Sequence, residues 1–134
     1  MTEEAPARAV LQKRAVIVMD PDRANRFYQR GCYGKPLSGG RLQLSPVEAL
    51  YLVENGKIII EDQKGNKLDF ETLMKKFAKT DPEFRLKYVT YADLRSRGYI
   101  VRTGLKFGAH FRVYDRGDRP GKAHSKFSVH AIPG

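Results

Sequence analysis

The sequence predicts an α/β (α+β) chain in two parts, a small N-terminal α/β domain over residues 1–82 and a second α/β domain over 83–134. Three observations predict it. Capped helices alternate with short β-branched runs before Pro82, and two helices meet at "AKTDPE" (Ala78–Glu83), which makes a hinge. After Gly98 the apolar pattern changes from a helical period to alternating segments bounded by glycines. With 134 residues, 41% of them hydrophobic, the chain can bury the core of one ordinary domain or of two small ones.

The elements follow in order. Arg14–Met19 ("RAVIVM") reads as a short strand closed by a turn at Asp20–Asp22, and "RFYQRGCYGKP" (Arg26–Pro36) reads as a loop packed by its own aromatics, with a direct RNA contact as the alternative. "SGGR" (Ser38–Arg41) leads into a second strand, Leu42–Leu44. "LSPVEALYLVENGK" (Leu44–Lys57) is the clearest helix: Ser45 is its N-cap, Pro46 its first residue, Glu48 completes a capping box, and Gly56 lies just past the end. Val47 and Leu50, with Tyr51 and Glu54, repeat at helical spacing and mark a core stripe.

Lys57–Glu61 is the next strand and "DQKGN" (Asp62–Asn66) a turn. Asp69 caps a helix that runs through Phe70, Leu73, Met74 and Phe77 to about Lys79. Asp81–Pro82 opens another, in which Phe84, Lys87 or Tyr88, Tyr91, and Leu94 or Arg95 recur at helical spacing and Gly98 is the stop. Beyond it "YIVRTG", "LKFG", "HFRVYDRG" and "SKFSVHAI" read as short strands, with a polar loop over Asp115–Lys122.

Charge is unevenly placed. The formal net charge is +10, yet eleven Lys/Arg and three Asp fall from Arg85 onward, net +8, against fourteen basic and twelve acidic residues in the first 84. A field of that sign attracts polyanions through counterion release and steering, which points to nucleic acid. A membrane is the poorer partner: no apolar run approaches about 18 residues, and the cations alternate along strands instead of lining one helix face. Cys32 stands alone, so neither an intrachain disulfide nor a cysteine-based zinc site is expected. The start "MTEEAPARAVLQKR" does not read as a signal peptide, and a cytoplasmic setting fits both features.

Because side chains alternate across a strand, His110, Arg112 and Tyr114 should share one face, opposite Phe111 and Val113; His124, Lys126 and Ser128 should likewise share one. If those two strands are neighbours, Tyr114 and His124 approach each other at the mouth of the Asp115–Lys122 loop. Cleaving RNA with protein groups alone needs a base for the 2′-hydroxyl, an acid for the leaving 5′-oxygen and a cation for the phosphorane charge. Histidine titrates near neutrality and suits the acid. Tyrosine, with a reference pKa of about 10, serves as base only where cations such as Arg112 or Arg116 favour the phenolate. Lys106, Arg112, Arg116 and Lys126 are the candidate RNA contacts; no metal ligand set and no cofactor motif accompanies them. The plainer alternative is that Tyr114 packs in a strand, that His110 and His130 are structural, and that the cations meet only water.

Three segments, "LSPVEALYLVENGK", "LKYVTYADLRSRGYIVRTGLKFGAHFRVYDRG" and "HSKFSVHAIP", together resemble the archaeal tRNA-splicing endonuclease family, in order and at family spacing, over about Tyr28–Pro133. The resemblance implies a C-terminal catalytic domain with a mixed sheet, and assembly into homo- or hetero-oligomers, dimers or tetramers. It implies a precursor-tRNA substrate with a bulge-helix-bulge motif, cut without metal to a 2′,3′-cyclic phosphate and a 5′-hydroxyl. By motif, Tyr114 falls on the family's general base and His124 on its general acid. The family's third catalytic residue, a lysine on a helix after the histidine strand, has no counterpart before Gly134, so the nuclease domain is expected to be C-terminally incomplete. Loss of one such stabiliser commonly costs about 10²–10³ in rate. A non-catalytic RNA-binding or structural subunit of the same kind of oligomer is the alternative.

Overall fold

The run Ala7-Arg8-Ala9-Val10-Leu11-Gln12 has a period of two, which sends alternate side chains to opposite faces of a strand. The computed structural model describes residues 5–102, 111–114 and 127–129, and in it this run is strand β1 (Ala7–Gln12), with Ala7, Ala9 and Leu11 buried. A tight turn, with Lys13 at φ 58°, returns the chain into β2 (Ala15–Val18), paired antiparallel with β1.

The chain divides into two compact units, Met1–Asp81 and Pro82–Gly134. The first is built on a six-stranded sheet in the order β3-β4-β2-β1-β5-β6, where β3 is Lys35–Pro36, β4 Leu42–Leu44, β5 Ile58–Glu61 and β6 Lys67–Leu68. All neighbours are antiparallel except β1 and β5. Since β4 opposes β2 and β2 opposes β1, β4 and β5 run the same way, and the link between them must cross over the sheet. Helix α2 (Pro46–Glu54) makes that crossover and packs against β2 and β5. Cross-strand partners on one face, Ala9 with Val18 and Ile60, Val16 with Leu44, and Val18 with Leu42, are all buried, so this face carries the core.

Helix α1 (Pro21–Gly31) corrects the loop expected over Arg26–Pro36. Asp20 and Pro21 form a helix start, not a strand-closing turn: the Asp20 carboxylate accepts from the Asp22 amide at 3.1 Å and Pro21 occupies the first turn. The helix ends at Cys32, in the left-handed region at φ 55°. Its apolar stripe is thin, with Ala24 its one buried residue, which is why spacing alone did not mark it. Helix α2 starts where the sequence places it, but it is buried on more than one stripe: Glu48, Ala49 and Leu52 join Val47 and Leu50.

Glu48 ties this unit together. One carboxylate oxygen accepts from the Ser45 amide and hydroxyl, both at 3.0 Å, and the other accepts from the Gly34 amide at 2.8 Å. Gly34 is needed there. Its φ is +72°, and an added Cβ would lie 2.7 Å from the Gln43 carbonyl oxygen. Helix α3 (Phe70–Thr80) starts at the expected cap, the Asp69 carboxylate accepting from the Thr72 amide at 2.8 Å, and buries Leu73, Met74 and Phe77. The Arg14 guanidinium lies over the Phe77 ring.

In the second unit, helix α4 (Phe84–Ser96) buries Phe84, Tyr88 and Tyr91, and starts two residues after Pro82, which sits in the preceding turn. Its chain exits through Gly98, at φ 93°, into a three-stranded antiparallel sheet, β7-β8-β9: Ile100–Arg102, Phe111–Tyr114 and Phe127–Val129. The expected segments "LKFG" and the Asp115–Lys122 loop lie outside the described residues.

Two outcomes follow for the first unit. Glu48→Ala strands the buried Gly34 amide and opens the helix start together, and should lower the unfolding free energy by about 2–4 kcal/mol in urea melts, more than Glu48→Gln does. A Glu48→Ala protein as stable as the parent would show that this carboxylate does not hold the unit. The Thr72 amide and then its side chain hold the Asp69 carboxyl below its ordinary range. The Asn66 amide does the same for Asp62. A depressed folded pKa stabilises above the unfolded value, near 3.9, and is lost as pH falls through the lower folded value. The melting temperature of Asp69→Asn, which keeps a cap but cannot titrate, should therefore fall less on acidification below about pH 4 than that of the parent; equal falls would reject the linkage.

Candidate functional site

In the second sheet the chemistry-bearing residues are sorted by phase. Val101 and Val113 are cross-strand partners and both are fully buried. The other phase holds Ile100 opposite Tyr114, and Arg102 opposite Arg112, with Ser128 opposite Arg112 on its far side. A one-residue slip would exchange the two sets, so the buried valines hold the register.

Tyr114 and Arg112 thus stand at alternate positions of β8, as the alternation in "HFRVYDRG" predicts. Strands β8 and β9 are neighbours, with Phe111 opposite Val129 and Val113 opposite Phe127. His124 precedes β9 by three residues in the chain. His124 itself, with Lys106, Arg116, Lys126, His110 and His130, lies outside the described residues. Among the described residues, no three His, Cys, Asp or Glu side chains gather into a metal-sized group, and no helix is long and apolar enough to cross a membrane.

Two residues outside the expected site set bear on this sheet. Arg102 enters through its place opposite Arg112. Arg95, near the end of α4, donates from Nη2 to the Val101 carbonyl at 3.2 Å and from Nε to the Tyr91 hydroxyl at 3.2 Å, with its guanidinium 5.7 Å from the Tyr91 ring centre. Among the described residues β7 is an edge of its sheet, and this side chain reaches a backbone acceptor on it. The signal for Arg95 was present as the Tyr91/Arg95 spacing of four. The signal for Arg102 is not local, because it appears only when β7 is set against β8.

Comparison with known proteins gives matches to both units. A family model described as tRNA intron endonuclease, N-terminal domain, matches residues 7–74, and one described as tRNA intron endonuclease, catalytic C-terminal domain, matches residues 84–134. A tRNA-splicing endonuclease of Hyperthermus butylicus is 39% identical over 134 residues, covering 93% of this chain and 73% of the relative. One from Methanococcoides burtonii is 41% identical over 128 residues, 95% of this chain and 36% of the relative, and one from Thermococcus onnurineus is 46% identical over 109 residues, 81% and 61%. The chain therefore spans little more than a third of the Methanococcoides protein.

The second matched segment opens with α4, whose Arg95 joins that helix to β7. Arg95→Ala removes a charged hydrogen bond to a backbone carbonyl and the ring contact, and should cost about 1–2 kcal/mol in chemical denaturation, with Tyr91→Phe costing less. If Arg95→Ala unfolds at the parent's denaturant midpoint, the helix does not depend on this link.

Proposed function

The chain belongs to the tRNA intron endonuclease family, and on that premise we propose that it is a precursor-tRNA endonuclease subunit whose residues 83–134 form the catalytic domain and 1–82 its supporting domain. The substrate is a bulge-helix-bulge junction in precursor tRNA. Tyr114 is the general base and His124 the general acid, with Lys106, Arg112, Arg116 and Lys126 along the RNA backbone.

The chemistry balances with protein groups alone. The Tyr114 phenolate takes the proton of the 2′-hydroxyl, the 2′-oxygen forms a bond to phosphorus, and the bond from phosphorus to the 5′-oxygen breaks. The His124 imidazolium gives its proton to that oxygen. The products are a 2′,3′-cyclic phosphate and a 5′-hydroxyl, and the neighbouring cations stabilise the charge that builds on the phosphorane and on the phenolate. The protein acts as a homo- or hetero-oligomer, dimer or tetramer, in the cytoplasm, and requires no cofactor.

The observation that supports this reading most is that the strand ending at Tyr114 pairs with the strand that starts three residues after His124. Val113 opposite Phe127 sets the end of β8 beside the start of β9, and in the sequence Tyr114 follows the first of these by one residue while His124 precedes the second by three.

Tyr114→Phe and His124→Ala should each slow cleavage of a bulge-helix-bulge RNA by at least about 10²-fold, with the parent's products carrying cyclic-phosphate ends at the intron boundary. Variants that cut as fast as the parent would overturn the assignment. Cleavage by a mixture with a second subunit that survives loss of His124 would favour the architectural role instead.

A further inference from the structure

The first 84 residues are nearly neutral in sum, with fourteen basic and twelve acidic side chains, yet cations gather at one end of the six-stranded sheet. Strands β1 and β5 are parallel, with Val10 opposite Glu61, so the β1–β2 turn at Lys13–Arg14 and the turn at Asp62–Asn66 stand at the same end. The Arg14 guanidinium lies 5.8 Å from the centre of the Phe77 ring, which brings the later turns of α3 to that end as well. Lys13, Arg14, Lys64, Lys76 and Lys79 are all exposed there. Lys76 and Lys79, three residues apart on α3, are neighbours on its surface, clear of the buried Leu73, Met74 and Phe77.

The acids of this end do not balance them. Glu61 is joined to Arg8 at 2.9 Å, and the Asp62 carboxylate accepts from the Lys64 and Asn66 amides and from the Asn66 side chain. Among the described residues of this unit, Asp62 and Asp81, the latter just past α3, then stand against the five cations. A surface with that excess gains free energy when a polyanion binds and releases its counterions. None of the exposed large apolar side chains, Met19, Tyr28 and Val89, comes from these turns or from α3, so the surface offers charge without a free ring on which a base could stack. A duplex, which turns its phosphates outward and its bases inward, suits such a surface better than a single strand read through its bases. We propose that Lys13, Arg14, Lys64, Lys76 and Lys79 form a binding surface for the phosphate backbone of double-stranded RNA, placed on the unit that carries none of the proposed cutting groups. The inference rests on the precursor-tRNA reading above only for the identity of that RNA, and adds to it a second hold on the substrate that is blind to sequence.

The test measures the affinity of the whole chain across a series of salt concentrations for two probes, a plain RNA duplex and a bulge-helix-bulge RNA with a 2′-deoxy nucleotide at the cut site. Three double variants are compared with the parent: Lys76→Gln with Lys79→Gln, Lys76→Arg with Lys79→Arg, and Arg30→Gln with Lys35→Gln. The last removes two exposed cations from α1 and β3 and controls for net charge. On both probes the α3 glutamine pair should bind about tenfold more weakly near 0.1 M salt, with the slope of log affinity against log salt reduced by about 1.4–1.8, the loss of two phosphate contacts. The arginine pair should keep the parent's slope, because a guanidinium meets a phosphate as readily as an ammonium does.

Parent-like affinity and slope in the α3 glutamine pair, or a fall no larger than that of the Arg30 and Lys35 control, would overturn the surface and leave the endonuclease reading intact. So would an arginine pair that binds as weakly as the glutamine pair. A parent that binds the duplex but does not cut the junction RNA carrying its 2′-hydroxyl would overturn the endonuclease reading and leave the surface standing, and a parent that binds neither probe would overturn both. If the α3 glutamine pair does not fold, Lys13→Gln with Lys64→Gln, in the two turns, decides by the same readings.

Discussion

The contact between Val101 and Val113 is the constraint on which the second unit depends. Both are fully buried, and strand geometry gives a residue's neighbours no choice about which phase they share once that pair is fixed. Tyr114, Arg112 and Arg102 take the opposite phase as a consequence of two apolar side chains. The groups proposed for the chemistry on β8 are thus held in register by residues that take no part in it.

The two units use charge differently. In the first, carboxylates are consumed as acceptors for backbone amides: Asp20 at α1, Glu48 between Ser45 and Gly34, Asp62 toward Lys64 and Asn66, and Asp69 at α3. These acids organise turns and helix starts and add little to a long-range field, because the unit's cations nearly balance them. From Arg85 onward the chain has only three acids to eleven cations, and one of the three, Asp93, is paired with Arg97. The polyanion-attracting potential therefore resides where the proposed cut takes place.

Legibility in the sequence followed the range of the interaction. The starts of α2 and α3 were readable because a cap is made within three residues: Ser45 with Glu48, Asp69 with Thr72. Helix α1 carries the same kind of start at Asp20–Pro21, but with one buried residue its stripe is faint and the Asp-Pro-Asp string was read as a turn. Strand β1 went unmarked because two of its three fully inward positions are alanines, which bury little area and carry weak strand preference. In the second unit the phase of Tyr114 and Arg112 could be read from alternation alone. Arg102 could not, since its partner is ten residues away across a pairing that only the fold defines.

The Arg95 link bears on the same constraint. Its guanidinium reaches the Val101 carbonyl from α4, so helix and strand are joined at the residue whose burial sets the phase of the sheet. A substitution that displaces Val101 would therefore move Tyr114 and Arg112 without touching either, because their positions follow from the pairing of β7 with β8 and from nothing local to β8 alone.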